Sequence, residues 1–235
     1  MSKDYDWSFF DDIKCINLYS RPDRYQEVSN VFQQYKIPGR FYRTHKHPMG
    51  GRYGCFESHL NIIREAYDKG YQTCLIFEDD MMPSSLLTPQ NLEQIVSFMR
   101  NNQNWNIFLL GSFPEIWYHR VQHIQGNIYR LHAHLCHAYV VHRRMMEKMY
   151  YWTYSGLNLD MIFNENNHAY GFCPSLFYQR ITPSDIDTPE FMLTFRYNMN
   201  RLTEMYAIHI NIPLFGLLAF VTILWILIIV IIGKY

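Results

Sequence analysis

Three adjacent carboxylates, Glu78-Asp79-Asp80, follow directly after the apolar run Thr73–Phe77. A short run without polar positions predicts a buried strand, and three negative charges at its end destabilise a fold unless a cation offsets them. Carboxylate oxygens favour Mg²⁺ or Mn²⁺, which commonly bridge protein carboxylates to substrate phosphates. The tripeptide therefore predicts a hard-metal site, and the alternative is a solvated acidic turn before Pro83.

A second group of candidate ligands consists of His132, His134 and His137. On a strand the first two share a face, but no fourth ligand is spaced for zinc, which favours surface or supporting roles. The five cysteines lie far apart and form no CxxC pair, so the sequence predicts neither a disulfide framework nor a zinc site. We expect the cysteines to be buried as small apolar side chains.

Length and composition narrow the class of protein. The chain has 235 residues, 49% of them hydrophobic, which is enough for one full-sized domain with a substantial core. Lys and Arg (21) balance Asp and Glu (21), so the basic surface of a general nucleic-acid binder is missing and we expect no nucleic-acid partner.

Apolar runs alternate with segments of helical periodicity, which predicts an α/β domain with a mostly parallel central sheet. The carboxylates would then lie at the carboxyl end of a strand, where such sheets bind ligands. Strands are expected at residues 13–18, 73–77, 105–110 and 138–141, with an irregular strand at 172–178. Helices are expected after Pro22, from Phe56 to Tyr67 and from Pro89 to Met99.

The run from Pro213 to Ile232 has twenty residues without a charge, long enough to cross a bilayer as a helix. A buried core helix is the alternative. No apolar signal-like run opens the chain, so we expect a single-pass C-terminal anchor with residues 1 to about 205 facing the cytoplasm. The expected organisation is a catalytic domain at 1–189, a connector at 190–211 and a membrane anchor at 212–232.

Several motifs together resemble glycosyltransferase family 25. They are Gly54-Cys-Phe-Glu-Ser-His-Leu60 followed by Cys74-Leu-Ile-Phe-Glu-Asp-Asp80, the opening Cys15–Arg24, and the later segments Cys136–Val141, Leu157–Asp160, Phe172–Gln179 and Ser184–Ile186. The resemblance covers about residues 12 to 187. The family includes bacterial lipopolysaccharide galactosyltransferases and collagen hydroxylysine galactosyltransferases.

This resemblance implies a GT-A-like fold and inverting transfer of a hexose, galactose or glucose, from a nucleotide-sugar donor such as a UDP-hexose. The acceptor would be a hydroxyl of a glycan, a lipid-linked glycan or a protein. It also implies a Mn²⁺ (or Mg²⁺) cofactor ligated by Asp80, with Glu78 and His137 as further ligands. The implied donor-binding residues are Asn17, Arg21, Arg24, Ser58, His59, Glu78, Asp79 and Gln179.

An inverting transfer needs a base that takes the proton of the acceptor hydroxyl. The isolated acids that could serve are Glu147, Asp160, Glu165, Asp185 and Asp187, and only the family pattern prefers Asp160. Asp160 could equally cap a helix that begins at Met161. The implied donor-binding residues also have structural alternatives. Arg21 and Arg24 could simply form a solvated helix start, and Ser58 and His59 could be hydrogen-bonded core residues.

Two functions from other classes remain open. One is an inactive transferase fold that serves as a membrane-tethered binding protein, although the intact acidic tripeptide argues against it. The other is a metal-dependent hydrolase or nucleotidyl transferase that uses the same carboxylates.

Overall fold

An eight-stranded sheet forms the centre of the fold in a computed structural model of the chain. The structure describes residues 4–114, 121–157, 159, 163, 168–182, 191, 194, 195, 197–199, 201, 202, 221, 224 and 225. The strands of the large sheet are β1 (Asp12–Leu18), β2 (Arg40–Thr44), β3 (Thr73–Glu78), β5 (Ile107–Pro114), β6 (Val121–Gln125), β7 (Ile128–Leu131), β8 (Ala133–His142) and β9 (Ala169–Phe172). A small two-stranded sheet pairs β4 (Met81–Pro83) with β10 (Phe177–Gln179).

The order of the strands in the large sheet is β2-β1-β3-β8-β5-β9-β7-β6. Strands β1, β2 and β3 are parallel neighbours, as are β5 and β9, whereas β7 and β8 run antiparallel to the strands beside them. Most strands therefore share one direction, and the predicted α/β class with a mostly parallel sheet is confirmed.

Among the residues that the structure describes, four helices with defined bounds cover the two faces of this sheet: α1 (Pro22–Gln34), α2 (Gly51–Asp68), α3 (Pro89–Asn101) and α4 (Arg143–Met149). Pro22 occupies the first helical position of α1, where its missing N–H costs nothing. The Thr88 side chain caps α3 by accepting a hydrogen bond from the Asn91 amide at 3.2 Å. The three helices predicted from periodicity are all present.

Two hydrophobic clusters fill the space between sheet and helices. Helices α2 and α4 contribute to one cluster, which includes Leu60, Ile63 and Met146. Helices α1 and α3 contribute to the other cluster, with Phe32 and Ile95 among its members. The sheet is thus the middle layer of three, and the residues that follow its strands can reach either helical layer.

The structure contains short or polar strands that the sequence did not predict. Strand β2 lies at the sheet edge and has no fully buried residue, so its sequence lacks the apolar run that marks β3. The single irregular strand expected at 172–178 is two strands, because β9 ends at Phe172 and β10 begins at Phe177. Pro174 lies between them, where a residue without an amide hydrogen interrupts no sheet.

The C-terminal predictions fall mostly on residues outside those described, including the expected boundaries at 189 and 212. Within the part of the chain that the structure describes, no helix combines the length and the apolar character needed to span a membrane. Val221 is 9% exposed and belongs to the cluster under α2. The Trp225 ring lies edge-on to Phe195 with 5.2 Å between centroids.

Candidate functional site

The acidic tripeptide lies at the carboxyl ends of the parallel strands β1 and β3. The register between these strands pairs Ile16 with Glu78, so Asn17 lies beside Asp79. Glu78 is the last residue of β3, whereas Asp79 and Asp80 lie in the turn between β3 and β4, and the three carboxylates do not form one cluster. Each of them has its own surroundings.

Asp79 is the centre of a buried polar network. Its Oδ1 accepts a hydrogen bond from Arg24 Nη1 at 2.7 Å, and its Oδ2 accepts one from Asn17 Nδ2 at 2.7 Å. Arg24 Nη2 also donates to Thr182 Oγ1 at 2.6 Å. Burial raises the pKa of Asp79, against the opposing effects of Arg24 and Asn17. The network joins β1, α1, β3 and the segment after β10.

Asn17, Arg24 and Asp79 are predicted donor-binding residues, and all three are buried. The three residues are 0%, 6% and 7% exposed. Their polar atoms bind one another inside the protein, so they hold the site together. Direct contact of any of them with a donor stays a prediction.

Asp80 faces Gln179 of β10, and this pair has the features of a cation site. Gln179 Nε2 donates to Asp80 Oδ2 at 3.0 Å. Asp80 Oδ1 and Gln179 Oε1 are both buried, and neither has a hydrogen-bond partner among the described residues. Two buried acceptor oxygens without donors are costly unless a ligand satisfies them. A carboxylate and an amide oxygen suit Mg²⁺ or Mn²⁺, so the residues present fit the implied metal.

The protonation of Asp80 reflects the same surroundings. Burial raises the pKa of Asp80 to about 7, and the negative charge of Glu78 adds to the effect. A divalent cation would reverse this, because it favours the ionised carboxylate. The acidity of Asp80 is thus set by whether a positive charge lies beside it.

Glu78 turns toward α2, and its side chain is 22% exposed. Its Oε1 lies 3.2 Å from His59 Nε2, and His59 Nδ1 lies 2.9 Å from the Tyr139 hydroxyl. His59 itself is 1% exposed. The adjacent Ser58 donates its hydroxyl hydrogen to the Gly54 carbonyl at 2.7 Å within α2. Of these two predicted donor-binding residues, His59 is therefore the one that contacts a carboxylate of the tripeptide.

Arg21 lies at the start of α1 and forms an ion pair with Asp23, with 2.8 Å between Nη2 and Oδ2. The hydrogen bond from Arg21 lowers the pKa of Asp23 to about 2. Asp23 is exposed, so this pair lies at the rim of the site, on the solvent side of the Asp79 network. A surface pair of this kind contributes little to stability.

His137, the predicted third metal ligand, is fully buried. Its Nε2–H donates to the Phe177 carbonyl at 2.9 Å, which attaches β10 to β8. That nitrogen is committed to the backbone, so in this arrangement only Nδ1 of His137 could approach a metal. Asp160, the predicted base, lies outside the described residues.

One site residue that the sequence analysis missed is Arg43 of β2. Its Nε donates to Asn17 Oδ1 at 3.2 Å, and its guanidinium carbon lies 4.5 Å from the centre of the Tyr19 ring. Tyr19 is 50% exposed and stacks on His45 with 4.7 Å between centroids. These side chains form an aromatic and cationic surface beyond β1 and β2. Recognition of β2 as a strand parallel to β1 would have indicated it.

Cys55 is a second such residue. Three of the cysteines, Cys15, Cys74 and Cys173, are buried as expected, but Cys55 is only partly buried. Its Sγ lies within 4.8 Å of a ring nitrogen of His59 and of a carboxylate oxygen of Glu78. Cys55 and His59 are four residues apart on a predicted helix, and this spacing could have indicated that their side chains lie on the same face.

Comparison with known proteins identifies a distant sequence relative. Over 139 residues the chain is 26% identical to procollagen galactosyltransferase 1 of Danio rerio, which covers 47% of this chain and 23% of that protein. The match therefore spans less than a quarter of the length of that relative. No protein-family profile matches the chain.

Solved structures with a partly similar course of the chain show little sequence identity. A197 from STIV has a TM-score of 0.46 and 12% identity, covering 71% of this chain and 83% of that chain. UDP-glucose pyrophosphorylase complexed with UDP-glucose has a TM-score of 0.43 and 11% identity, covering 81% of each chain. A glycosyltransferase involved in glycosylation of the major capsid of PBCV-1 has a TM-score of 0.41 and 14% identity, covering 74% and 96%. None of these likenesses bears on the role of a particular residue.

Proposed function

We propose that the chain is a metal-dependent glycosyltransferase that moves a hexose from a nucleoside-diphosphate sugar to an acceptor hydroxyl with inversion. The observation that carries this proposal is the pair of buried, unpartnered oxygens on Asp80 and Gln179 at the carboxyl end of β3. A cation held there would neutralise the charge that develops on the departing nucleoside diphosphate.

The surroundings of this pair suit an anionic donor. Arg21 and Arg43 lie near the carboxyl ends of β1 and β2, and both offer guanidinium groups for a diphosphate. Tyr19 is half exposed next to them, and its ring holds the Arg43 guanidinium at 4.5 Å, where that group could meet a diphosphate. These features support donor binding beside Asp80.

The distant relative supports the choice among transferases. That relative is named a galactosyltransferase. The motifs of this chain resemble glycosyltransferase family 25, which includes such enzymes. Galactose or glucose is therefore the proposed sugar and a UDP-hexose the proposed donor. Asp160 remains the proposed base for the acceptor hydroxyl, which would be part of a glycan, a lipid-linked glycan or a protein.

The test is calorimetric titration of the chain with UDP-galactose, UDP-glucose and a GDP-sugar, each with and without Mn²⁺. We expect binding of a UDP-hexose that requires Mn²⁺, and loss of that binding in Asp80→Asn. The matched control is Asp4→Asn, which removes an exposed carboxylate that pairs with Lys36 and with none of the proposed donor-binding residues. It should retain Mn²⁺-dependent binding.

Analysis of the products separates the proposal from its alternatives. Incubation with donor and a mixture of hydroxyl acceptors should release nucleoside diphosphate and form an inverted glycoside. Release of nucleoside monophosphate and sugar phosphate would instead indicate cleavage within the diphosphate, as a hydrolase would perform. Mn²⁺-dependent donor binding that is unchanged in Asp80→Asn would refute the metal assignment.

A further inference from the structure

Cys55, His59 and Glu78 form a second group of candidate metal ligands, separate from the oxygens of Asp80 and Gln179. Cys55 and His59 are four residues apart on α2 and share one face of the helix. Glu78 follows from the end of β3 and faces them. One ligand atom from each residue, a sulfur, a ring nitrogen and a carboxylate oxygen, lies within 4.8 Å of the other two.

The ring of His59 is oriented as in known metal sites. One ring nitrogen, Nε2, faces Glu78 at 3.2 Å, while the other, Nδ1, lies 2.9 Å from the Tyr139 hydroxyl. A tyrosine hydroxyl can accept a hydrogen bond as well as donate one. In the tautomer with a proton on Nδ1, that proton bonds to Tyr139 and the lone pair of Nε2 faces Cys55 and Glu78. Metal-binding histidines are typically oriented by such a hydrogen bond from the second nitrogen.

We propose that Cys55 Sγ, His59 Nε2 and the Glu78 carboxylate bind Zn²⁺, with the fourth coordination position open to solvent or substrate. Zinc bonds of about 2.0 to 2.3 Å place neighbouring ligand atoms of a tetrahedral site about 3.5 Å apart. The distance of 3.2 Å between His59 and Glu78 already matches this. The two separations that involve Cys55 Sγ are within 4.8 Å, so the Cys55 side chain would have to move slightly toward His59 and Glu78 when the ion binds.

The chemistry of the ligands separates this site from the proposed Mn²⁺ site. A thiolate and an imidazole select Zn²⁺ over Mg²⁺ or Mn²⁺, whereas carboxylate and amide oxygens favour the harder ions. Access differs among the three ligands as well, since His59 is buried while Cys55 is partly buried and Glu78 is 22% exposed. A cation can therefore enter past Cys55 and Glu78 and meet a fixed imidazole. The proposal of this zinc site does not rest on the proposed glycosyltransferase activity.

Co²⁺ is the probe for the test, because a cobalt–thiolate bond gives a charge-transfer absorption in the near ultraviolet. Titration of the full chain with Co²⁺ should produce this absorption with a stoichiometry of one, and Zn²⁺ should displace it. Cys55→Ser should abolish the absorption, since only the sulfur is exchanged. Cys173→Ala is the matched control, because burial raises the pKa of Cys173 to about 12 and keeps that thiol protonated.

Two further variants locate the cation. Asp80→Asn should keep the cobalt–thiolate absorption, because Asp80 is not a ligand of this site. His59→Gln should weaken Co²⁺ binding by at least tenfold; circular dichroism must show that this variant is folded, and Cys55→Ser decides the outcome if it is not. The proposal is overturned if Cys55→Ser retains the absorption, if Asp80→Asn loses it, or if the wild-type chain shows none.

Discussion

The carboxyl group of Asp80 is protonated to a large extent near neutral pH when no cation is bound, because burial raises its pKa to about 7. A divalent cation must displace that proton, so affinity for Mn²⁺ should rise about tenfold per pH unit below pH 7 and level off above it. Titrations with Mn²⁺ between pH 5 and pH 8 measure this. An affinity that does not change with pH would show that Asp80 is ionised without metal.

The same residue should affect stability in the opposite sense. The folded state holds a proton on Asp80 that the unfolded chain, with an ordinary pKa of 3.8, has released. Stability from this group is therefore lost as pH rises from about 4 to about 7. Thermal unfolding without divalent cations should show Asp80→Asn losing less stability than the wild-type chain over this range. Parallel curves for the two proteins would contradict the expectation.

Asp79 should respond to mutation differently from Asp80, since its carboxylate pairs with Arg24 inside the protein. Asp79→Ala leaves the Arg24 guanidinium buried without its counter-ion, and removal of one partner of a buried pair costs about 3–5 kcal/mol. Urea unfolding at pH 7 measures the free energy of unfolding. The control is Asp23→Ala, where the ion pair lies at the surface and the change should be much smaller. Equal effects of the two variants would show that the Asp79 network has no structural role.

At the level of elements, the position of β10 depends on Gly111 in β5. A Cβ at residue 111 would lie 2.4 Å from His137 Nε2 and 2.9 Å from the Phe177 carbonyl oxygen. These are the two atoms that join β8 to β10 through a hydrogen bond. Overpacking of this kind typically costs about 1–3 kcal/mol, and here it would also move the strand that carries Gln179.

Gly111→Ala should therefore lower both stability and Mn²⁺ affinity. The matched control is Gly171→Ala in β9, where the added Cβ would contact Leu131 and Leu109 at 3.0 to 3.3 Å without touching β10. That variant should lose stability but retain the affinity for Mn²⁺, measured in the same titrations. Retained affinity in folded Gly111→Ala would show that β10 does not position the cation site.

Elements with a strong apolar pattern could be predicted from sequence, and those whose pattern is set by neighbours could not. Strand β3 is buried apart from its last residue, and α3 has its apolar residues on one face. Strand β6 is exposed at four of its five residues, and β4 and β10 exist only because they pair with each other across 94 or more residues of chain. Such strands leave no local signal.

The candidate site, too, could be predicted from sequence only in part. The sequence predicted three carboxylates at the end of one strand, and the family resemblance implied Asp80 as a metal ligand, which stays a prediction. The sequence did not show that Asp79 pairs with Arg24 and that Glu78 faces His59. That partition depends on which helix covers which face of the sheet, which is a property of the assembled fold.

At the level of the whole molecule, the four helices and ten strands whose bounds the structure describes precede residue 191, and the described residues between 191 and 202 are helical as well. A chain truncated after residue 205 should therefore fold and bind the donor with affinity similar to that of the full chain. Thermal unfolding and the calorimetric titration described above measure this. An insoluble product would show that later residues, such as Val221 in the core cluster under α2, are required for folding.

Membrane attachment through residues 212–232 is a separate proposal, with the catalytic domain on the cytoplasmic side. The full chain should float with phospholipid vesicles in a density gradient, and the chain truncated after residue 205 should not. Flotation of both proteins would place the membrane contact elsewhere. Protease added to sealed membranes with the cytoplasmic face outward should digest the catalytic domain, and complete protection would reverse the proposed orientation.

The hydrogen bond between Gln179 and Asp80 joins residues 99 positions apart. Contacts of such long range form late in folding, because the intervening chain must be ordered first. Strand β10 belongs to a two-stranded sheet, and such a pair has little stability of its own. The part of the protein that completes the cation site thus lies outside the eight-stranded sheet, and its loosening under mild denaturant would remove metal binding while that sheet is still intact. A partly opened molecule of this kind would look folded by circular dichroism and yet be unable to bind its metal.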